Sequence, residues 1–281
     1  MHLKKCNQWL RREMLNNHQL ETYLDKLAIK RSKELSLDLV EKIQTAHIGK
    51  FTFNNIDVLL NRPISIKSDD IFKKMVIENR GGYCFEHNGL MYDVLKALGF
   101  NVRIILARVI MNEEVDSERG HRVTLLTLNE KEYIVDVGFT AESQSYPIEI
   151  GKNTVTKEHR VIKEDDTYRF QMYKEDKAFT FYTYTLEHYT QSDCKVSNFY
   201  SYAHDEAVFR NVFALSRITP SVTYSLRNNE YHKISKEKTT IIELSSLEEF
   251  SAVLKKDFNL DIDAGTSKII FDKSIEFRKK Q

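Results

Sequence analysis

The spacing of apolar residues changes once along this chain, near residue 100. Before that point they recur at helical intervals; after it they cluster and alternate as strands do. Residues 9–27 carry apolar positions at mixed helical spacing. Ser36 stands where a cap is needed for a second helix, in which Leu39, Val40, Ile43 and His47 share a face. A third helix is predicted to open at Ser68. Asp69 and Asp70 lie in its first turn, where the helix dipole favours acids, and Ile71, Phe72, Met75 and Val76 follow. Residues 51–57, with Phe51, Phe53 and Ile56 among them, are too aromatic for a solvated loop and read equally as core or as pocket lining. A fourth helix follows the turn at Gly81 and Gly82. Met91, Val94, Leu95 and Leu98 mark one of its faces and Gly99 ends it, so Cys84 falls at its N-terminus.

From Asn101 the pattern is that of strands. Residues 102–111 are rich in β-branched side chains, and two apolar runs at 123–128 and 133–137 flank polar Asn129-Glu130-Lys131-Glu132, a hairpin pattern. Further strands are expected at 161–162, 168–173 and 179–184, building a β-barrel or strongly curved sheet up to about residue 200. Beyond it, 222–226 and 239–244 read as strands and 246–258 as a helix. The expected fold class is α+β, with a helical bundle at 1–99, a β-barrel at 100–203 and a small α/β lobe at 204–281.

Composition narrows the function by exclusion. A chain of 281 residues can bury a sizeable core. Net charge is +1, from 42 basic and 41 acidic residues, so no field points to nucleic acid. Lys4, Lys5, Arg11, Arg12 and Glu13 interrupt any apolar leader, and no run is long enough to span a bilayer. The expectation is a soluble, cytoplasmic protein without membrane partners. Three widely spaced cysteines, Cys6, Cys84 and Cys194, fit neither a disulfide framework nor a zinc site, and no metal is expected.

Cys84 carries the candidate chemistry. No Ser, Thr, Asp or Asn precedes it as a cap, which leaves the first N–H groups of the helix facing an anion, and a thiolate is such an anion. A free thiol ionises at about 8.5, and helix N-termini and nearby cations lower that to roughly 3.5–7.5. A nucleophilic thiolate also needs a base. His87 lies on the same helix and is expected to point away; His2, His18 and His159 sit in charged, solvated surroundings. His121 opens the hairpin strand, and on the return strand Asp136 interrupts an apolar run where a lone carboxylate is costly to bury. A two-residue loop at Asn129-Glu130 would set Asp136 opposite Val123, on the same face as His121; a three-residue loop would separate them. In the first register Asp136 fixes the His121 tautomer and the other ring nitrogen meets Cys84.

The segment Arg80-Gly81-Gly82-Tyr83-Cys84-Phe85-Glu86-His87-Asn88, followed by His121 and by Val135-Asp136-Val137-Gly138-Phe139, resembles the arylamine N-acetyltransferase family. His47 and Phe53-Asn54-Asn55-Ile56 resemble a further family segment, with Thr52 in place of its proline and Asn54 in place of its glutamate. Residues 139–141 depart from the glycine-richer loop usual there. The resemblance implies a papain-like arrangement of helical bundle, barrel and α/β lid. It also implies acetyl-coenzyme A as donor and arylamines, hydrazines or N-hydroxyarylamines as acceptors, in a ping-pong reaction through acetyl-Cys84 with Cys84, His121 and Asp136 as triad. By family position Phe53, Val109 and Phe139 would line the amine pocket, and Gly138 and Thr140 would meet coenzyme A. The same triad also serves cysteine hydrolases and transglutaminase-like acyl transferases, the rival reading; a binding protein with a degenerate site would not need all three residues.

Overall fold

A computed structural model of the chain describes residues 14–151, 155 and 157–280. His2, Cys6, the charged residues at 4–5 and 11–13, and the 9–13 part of the first expected helix lie outside them. Helices α1 (Asn17–Lys26) and α2 (Leu37–Lys50) open at caps that the sequence supplies: Asn16 accepts from the Gln19 N–H at 2.9 Å and Ser36 from that of Leu39 at 3.2 Å. Strand β1 (Phe53–Asn54) and the short helix α3 (Ile56–Leu59) follow, and residues 51–57 are all buried. The third expected helix is shorter than its pattern. Helix α4 (Ser68–Phe72) passes into a π-helical turn at Lys73–Ile77. Ser68 is its first helical residue, as expected, and its hydroxyl donates to Asp93 Oδ2 at 2.7 Å. Helix α5 (Cys84–Leu98) then ends at Gly99, which takes a left-handed φ of 103°.

Seven strands form the central sheet: β2 (Asn101–Val109), β3 (His121–Leu128), β4 (Lys131–Val135), β5 (Ile148–Glu149), β6 (His159–Glu164), β7 (Thr167–Lys174) and β8 (Lys177–Tyr184). Their order is β5-β4-β3-β2-β8-β7-β6, and the end strands β5 and β6 touch, so the sheet nearly closes into a barrel. Alternation assigns the two faces. Ile105, Ala107, Val123, Leu125 and Ile134 fill the interior, while Ile104, Leu106, Leu126 and Val135 pack outward against the helices.

Helix α6 (Gln191–Ala203) leads to a second sheet, β9 (Ala214–Ile218), β10 (Val222–Arg227), β11 (Glu230–Ser235) and β12 (Thr239–Glu243), and to helices α7 (Leu247–Lys256) and α8 (Ala264–Lys279). The sequence pattern misses β9, β11 and α8, and it misses that β1 is the first strand of this sheet, paired with β9 as Phe53 to Ser216 and Asn54 to Leu215. Among the described residues no helix is long and apolar enough to cross a membrane.

Candidate active site

The hairpin settles the register question. Leu128 pairs with Lys131 and Thr124 with Val135, which leaves a two-residue loop at Asn129-Glu130 with φ values of 51° and 60°. Parity then places Asp136 beside His121 on the interior face, and His121 Nε2 lies 2.7 Å from Asp136 Oδ2. The other carboxylate oxygen accepts from Asn88 Nδ2 at 2.8 Å and from the Gly138 N–H at 3.0 Å. Burial alone would raise the Asp136 pKa. The His121 charge and these donors reverse that effect and hold the carboxyl below its usual range.

Cys84 opens helix α5 beneath the end of the barrel. Tyr83 occupies the cap position with its side chain turned away, its hydroxyl bonded to Asn198. The Cys84 Sγ lies 3.8 Å from the Gly120 carbonyl oxygen, and the N–H groups of Phe85 and Arg122 point at the sulfur. Burial pushes the thiol up, the Asp136 charge adds to it, and the two N–H groups recover only part. A helix start therefore does not by itself give a thiolate here, in contrast to the sequence expectation, because Cys84, His121 and Asp136 are each at most 2% exposed and desolvation outweighs two peptide dipoles. With Nε2 committed to Asp136, Nδ1 is the ring nitrogen His121 has left for another partner.

Gly138 packs directly under Cys84. A Cβ there would stand 2.8 Å from Asn88 Nδ2 and 3.0 Å from Cys84 Cα. Its N–H is bound to Asp136, so at this position the backbone holds the buried carboxylate. Thr140, with φ of 51°, begins a 3-10 turn closed by Ser143, whose hydroxyl accepts from the Phe139 N–H at 2.7 Å. The Phe139 ring meets His121 edge-on at 5.0 Å and Tyr182 at 5.3 Å, and Val109 is the cross-strand partner of Tyr182. Phe53 belongs to a different core cluster; its ring lies 5.9 Å from His87 and 5.7 Å from Phe209. The structure thus sets Phe139 against His121 and reaches Val109 through Tyr182, 5.2 Å from His121, while Phe53 lies in the core cluster that also holds Cys84.

Two of the other histidines behave as expected and one does not. His18 is exposed, and His87 turns from Cys84 to bond His47 Nε2 at 2.9 Å and the Thr52 carbonyl at 3.3 Å. His159 is not solvated: it stacks on Phe170 and bonds the Tyr146 hydroxyl at 2.8 Å. The residue that sequence reasoning left without a role is Asn88. One turn after Cys84, its amide joins the Arg122 carbonyl at 2.6 Å, Asp136 at 2.8 Å and the Val137 N–H at 3.0 Å, tying helix α5 to both arms of the hairpin. The four-residue spacing to Cys84 was the available signal, since it puts both side chains on one helix face. No cluster of three His, Cys, Asp or Glu side chains suited to a metal occurs among the described residues. A cleft of about 610 Å³ lies elsewhere, between residues 54–80 and 255–266, and includes no member of the triad.

A buried cysteine faced by the peptide N–H groups of Phe85 and Arg122, the latter next in sequence to an imidazole held by a buried carboxylate, is the kind of arrangement acyltransferases use. Known proteins agree with that class. The sequence pattern of the N-acetyltransferase family matches residues 36–267. The arylamine N-acetyltransferase of Escherichia coli is 32% identical over 237 residues, 82% of this chain and 84% of that protein. The arylamine N-acetyltransferase / N-hydroxyarylamine O-acetyltransferase of Salmonella typhimurium is 33% identical over 194 residues, 66% and 69% of the two chains. In structure, the Mycobacterium marinum arylamine N-acetyltransferase in complex with CoA superposes with a TM-score of 0.83 at 25% identity, covering 91% of this chain and 99% of that one. The chain belongs to the arylamine N-acetyltransferase family of acyltransferase enzymes.

Proposed function

We propose that the protein transfers an acetyl group from acetyl-coenzyme A to arylamines, hydrazines or N-hydroxyarylamines by a ping-pong route through acetyl-Cys84. The observation that carries this reading is the His121–Asp136 pair at 2.7 Å, on the barrel's inner face beside the Cys84 helix start. Cys84 gives its proton to His121 Nδ1, and the sulfur attacks the thioester carbonyl. The Asp136 charge, which opposes a lone thiolate, is offset once His121 is an imidazolium, so thiolate and imidazolium form together. Phe85 and Arg122 N–H groups meet the developing oxyanion, and the coenzyme A sulfur leaves with the proton from His121. An arylamine, largely neutral at pH 7, then attacks the acetyl carbon; His121 takes its proton and Cys84 is released as the thiol. Phe139, against His121, and Val109, the partner of Tyr182, suit an aromatic acceptor.

In the same reading the parts at 1–99, 100–203 and 204–281 act as nucleophile bundle, base-carrying barrel and lid in a papain-like arrangement. The reaction belongs in the cytoplasm, where cysteines such as Cys84 and Cys194 stay reduced. Intact-protein mass spectrometry tests the mechanism. Brief exposure to acetyl-coenzyme A should add one acetyl group, absent in Cys84→Ala and discharged by an arylamine. Wild-type protein that takes no acetyl group, or Cys84→Ala that turns over normally, overturns it.

A further inference from the structure

A chain of ionic contacts outside the triad runs from the surface to the first turn of helix α5. Half-exposed Arg62 and Arg80 bond Asp57 Oδ1 at 3.1 Å and 2.8 Å. Asp57 Oδ2 lies 2.7 Å from Lys74 Nζ, and the same ammonium lies 2.7 Å from Glu86 Oε1. Glu86, with a side chain 2% exposed, accepts the Tyr83 N–H through Oε2 at 3.1 Å, immediately before the nucleophile. Lys74 is the single cation paired with Glu86 among the described residues. A carboxylate at this place tethers the turn that presents Cys84, but two residues from the sulfur its charge disfavours a thiolate.

We propose that Lys74 is a positioning residue for the acyl transfer: paired with Glu86, it lets the carboxylate hold the Tyr83–Cys84 turn without loading negative charge onto the nucleophile. The inference rests on Cys84 being that nucleophile. The other groups facing Cys84 are His121 and Asp136 from the barrel, which the mechanism uses, and the buried phenol of Tyr83, neutral at working pH. His87, on the same helix, is tied to His47 and Thr52. Lys74, from the π-helical turn, is thus a cation placed to balance Glu86 without taking part in proton transfer.

The test is the pH dependence of Cys84 alkylation by iodoacetamide, read at that residue by peptide mass spectrometry. No acetyl-coenzyme A is present, so failure of the acetyl-transfer reading and failure of this inference are distinguishable. Lys74→Met should raise the apparent pKa for alkylation by about one unit, which is about tenfold slower reaction on the acid limb. Lys74→Arg should keep the wild-type profile. Glu86→Gln should shift it down, and the double variant Lys74→Met/Glu86→Gln should return close to wild type, a reversion that a merely structural loss cannot produce. An unshifted profile in Lys74→Met, or a double variant as displaced as the single, overturns the proposal. If Lys74→Met does not fold, Glu86→Gln decides alone, and an unshifted or raised profile there also overturns it.

Discussion

Gly138→Ala is the smallest change that should disable the site. The added methyl would lie 2.8 Å from Asn88 Nδ2, 3.0 Å from Cys84 Cα and 3.2 Å from the Cys84 carbonyl oxygen. Carbon atoms in contact prefer about 3.5–4.0 Å, so each neighbour must retreat by several tenths of an ångström. None can do so cheaply. Two of the atoms are backbone at the start of helix α5, and the Asn88 amide is fixed by bonds to Arg122, Asp136 and Val137. Overpacking of this kind costs about 1–3 kcal/mol. At about 2–4 °C per kcal/mol for chains of roughly this size, the melting temperature should fall by about 2–12 °C. Because the strain falls between Cys84 and Asp136, acetylation of Cys84 should slow by about 10²-fold, the penalty for misplacement on the order of 1 Å. Thermal melts and rapid-quench mass spectrometry of the acetyl adduct measure the two effects. Wild-type melting with only a raised KM for acetyl-coenzyme A would refute the packing argument and make Gly138 a cofactor contact instead.

Three further outcomes follow from the geometry. Asp136→Asn should cut turnover by about 10⁴-fold, because the amide lacks the charge and can donate to His121 Nε2, favouring the wrong tautomer; near-normal turnover in a folded variant would remove Asp136 from the mechanism. Glu130→Gly should stabilise the protein by about 0.5 kcal/mol, since Glu130 holds a φ of 60° in the hairpin turn, and a lowered melting temperature would contradict this. Burial keeps His47 and His87 neutral, His87 down to about 4. Below about pH 6.5 the unfolded chain therefore binds protons that the fold refuses. Stability should fall with pH from there to about 4, by about 2 kcal/mol from His87 between pH 6.5 and 5, with no further slope from His87 below about pH 4. Urea unfolding of wild type and His87→Gln across this range checks the point, and an equal slope in both would count against it.

How much of this was legible depended on the distance over which each feature is decided. The His121–Asp136 pairing was readable because strand parity and a two-residue turn are local, and the turn chose between the two registers. The caps Asn16 and Ser36 act within three residues, yet only Ser36 stood out, because Asn16 lies inside a longer helical pattern. The start at Ser68 was legible from the acids of the first turn, whereas the bond its hydroxyl makes to Asp93, twenty-five residues on, was not. His159 looked solvated among charges, but Phe170 and Tyr146 cover it from elsewhere in the barrel. The thiol's high pKa was equally hidden. A helix start is visible in sequence, whereas the burial that outweighs it comes from the whole assembled site.

Strand β1 has neighbours on both of its edges. On one side Asn54 donates to the Gly82 carbonyl at 2.7 Å and Gly82 donates back to Thr52 at 3.3 Å, in the turn that presents Cys84. On the other, Phe53 and Asn54 pair with β9. Gly81, at φ of 62°, leaves no room for a side chain there, since a Cβ would fall 2.0 Å from the Thr52 oxygen. The C-terminal sheet is thereby stitched to the turn before Cys84 through one short segment from the first third of the chain. Residues 204–281 are consequently not an interchangeable module. A chimera that imports this portion from a relative must import residues 51–60 with it, and a truncation that deletes it strips one edge of the strand whose other edge steadies Gly82.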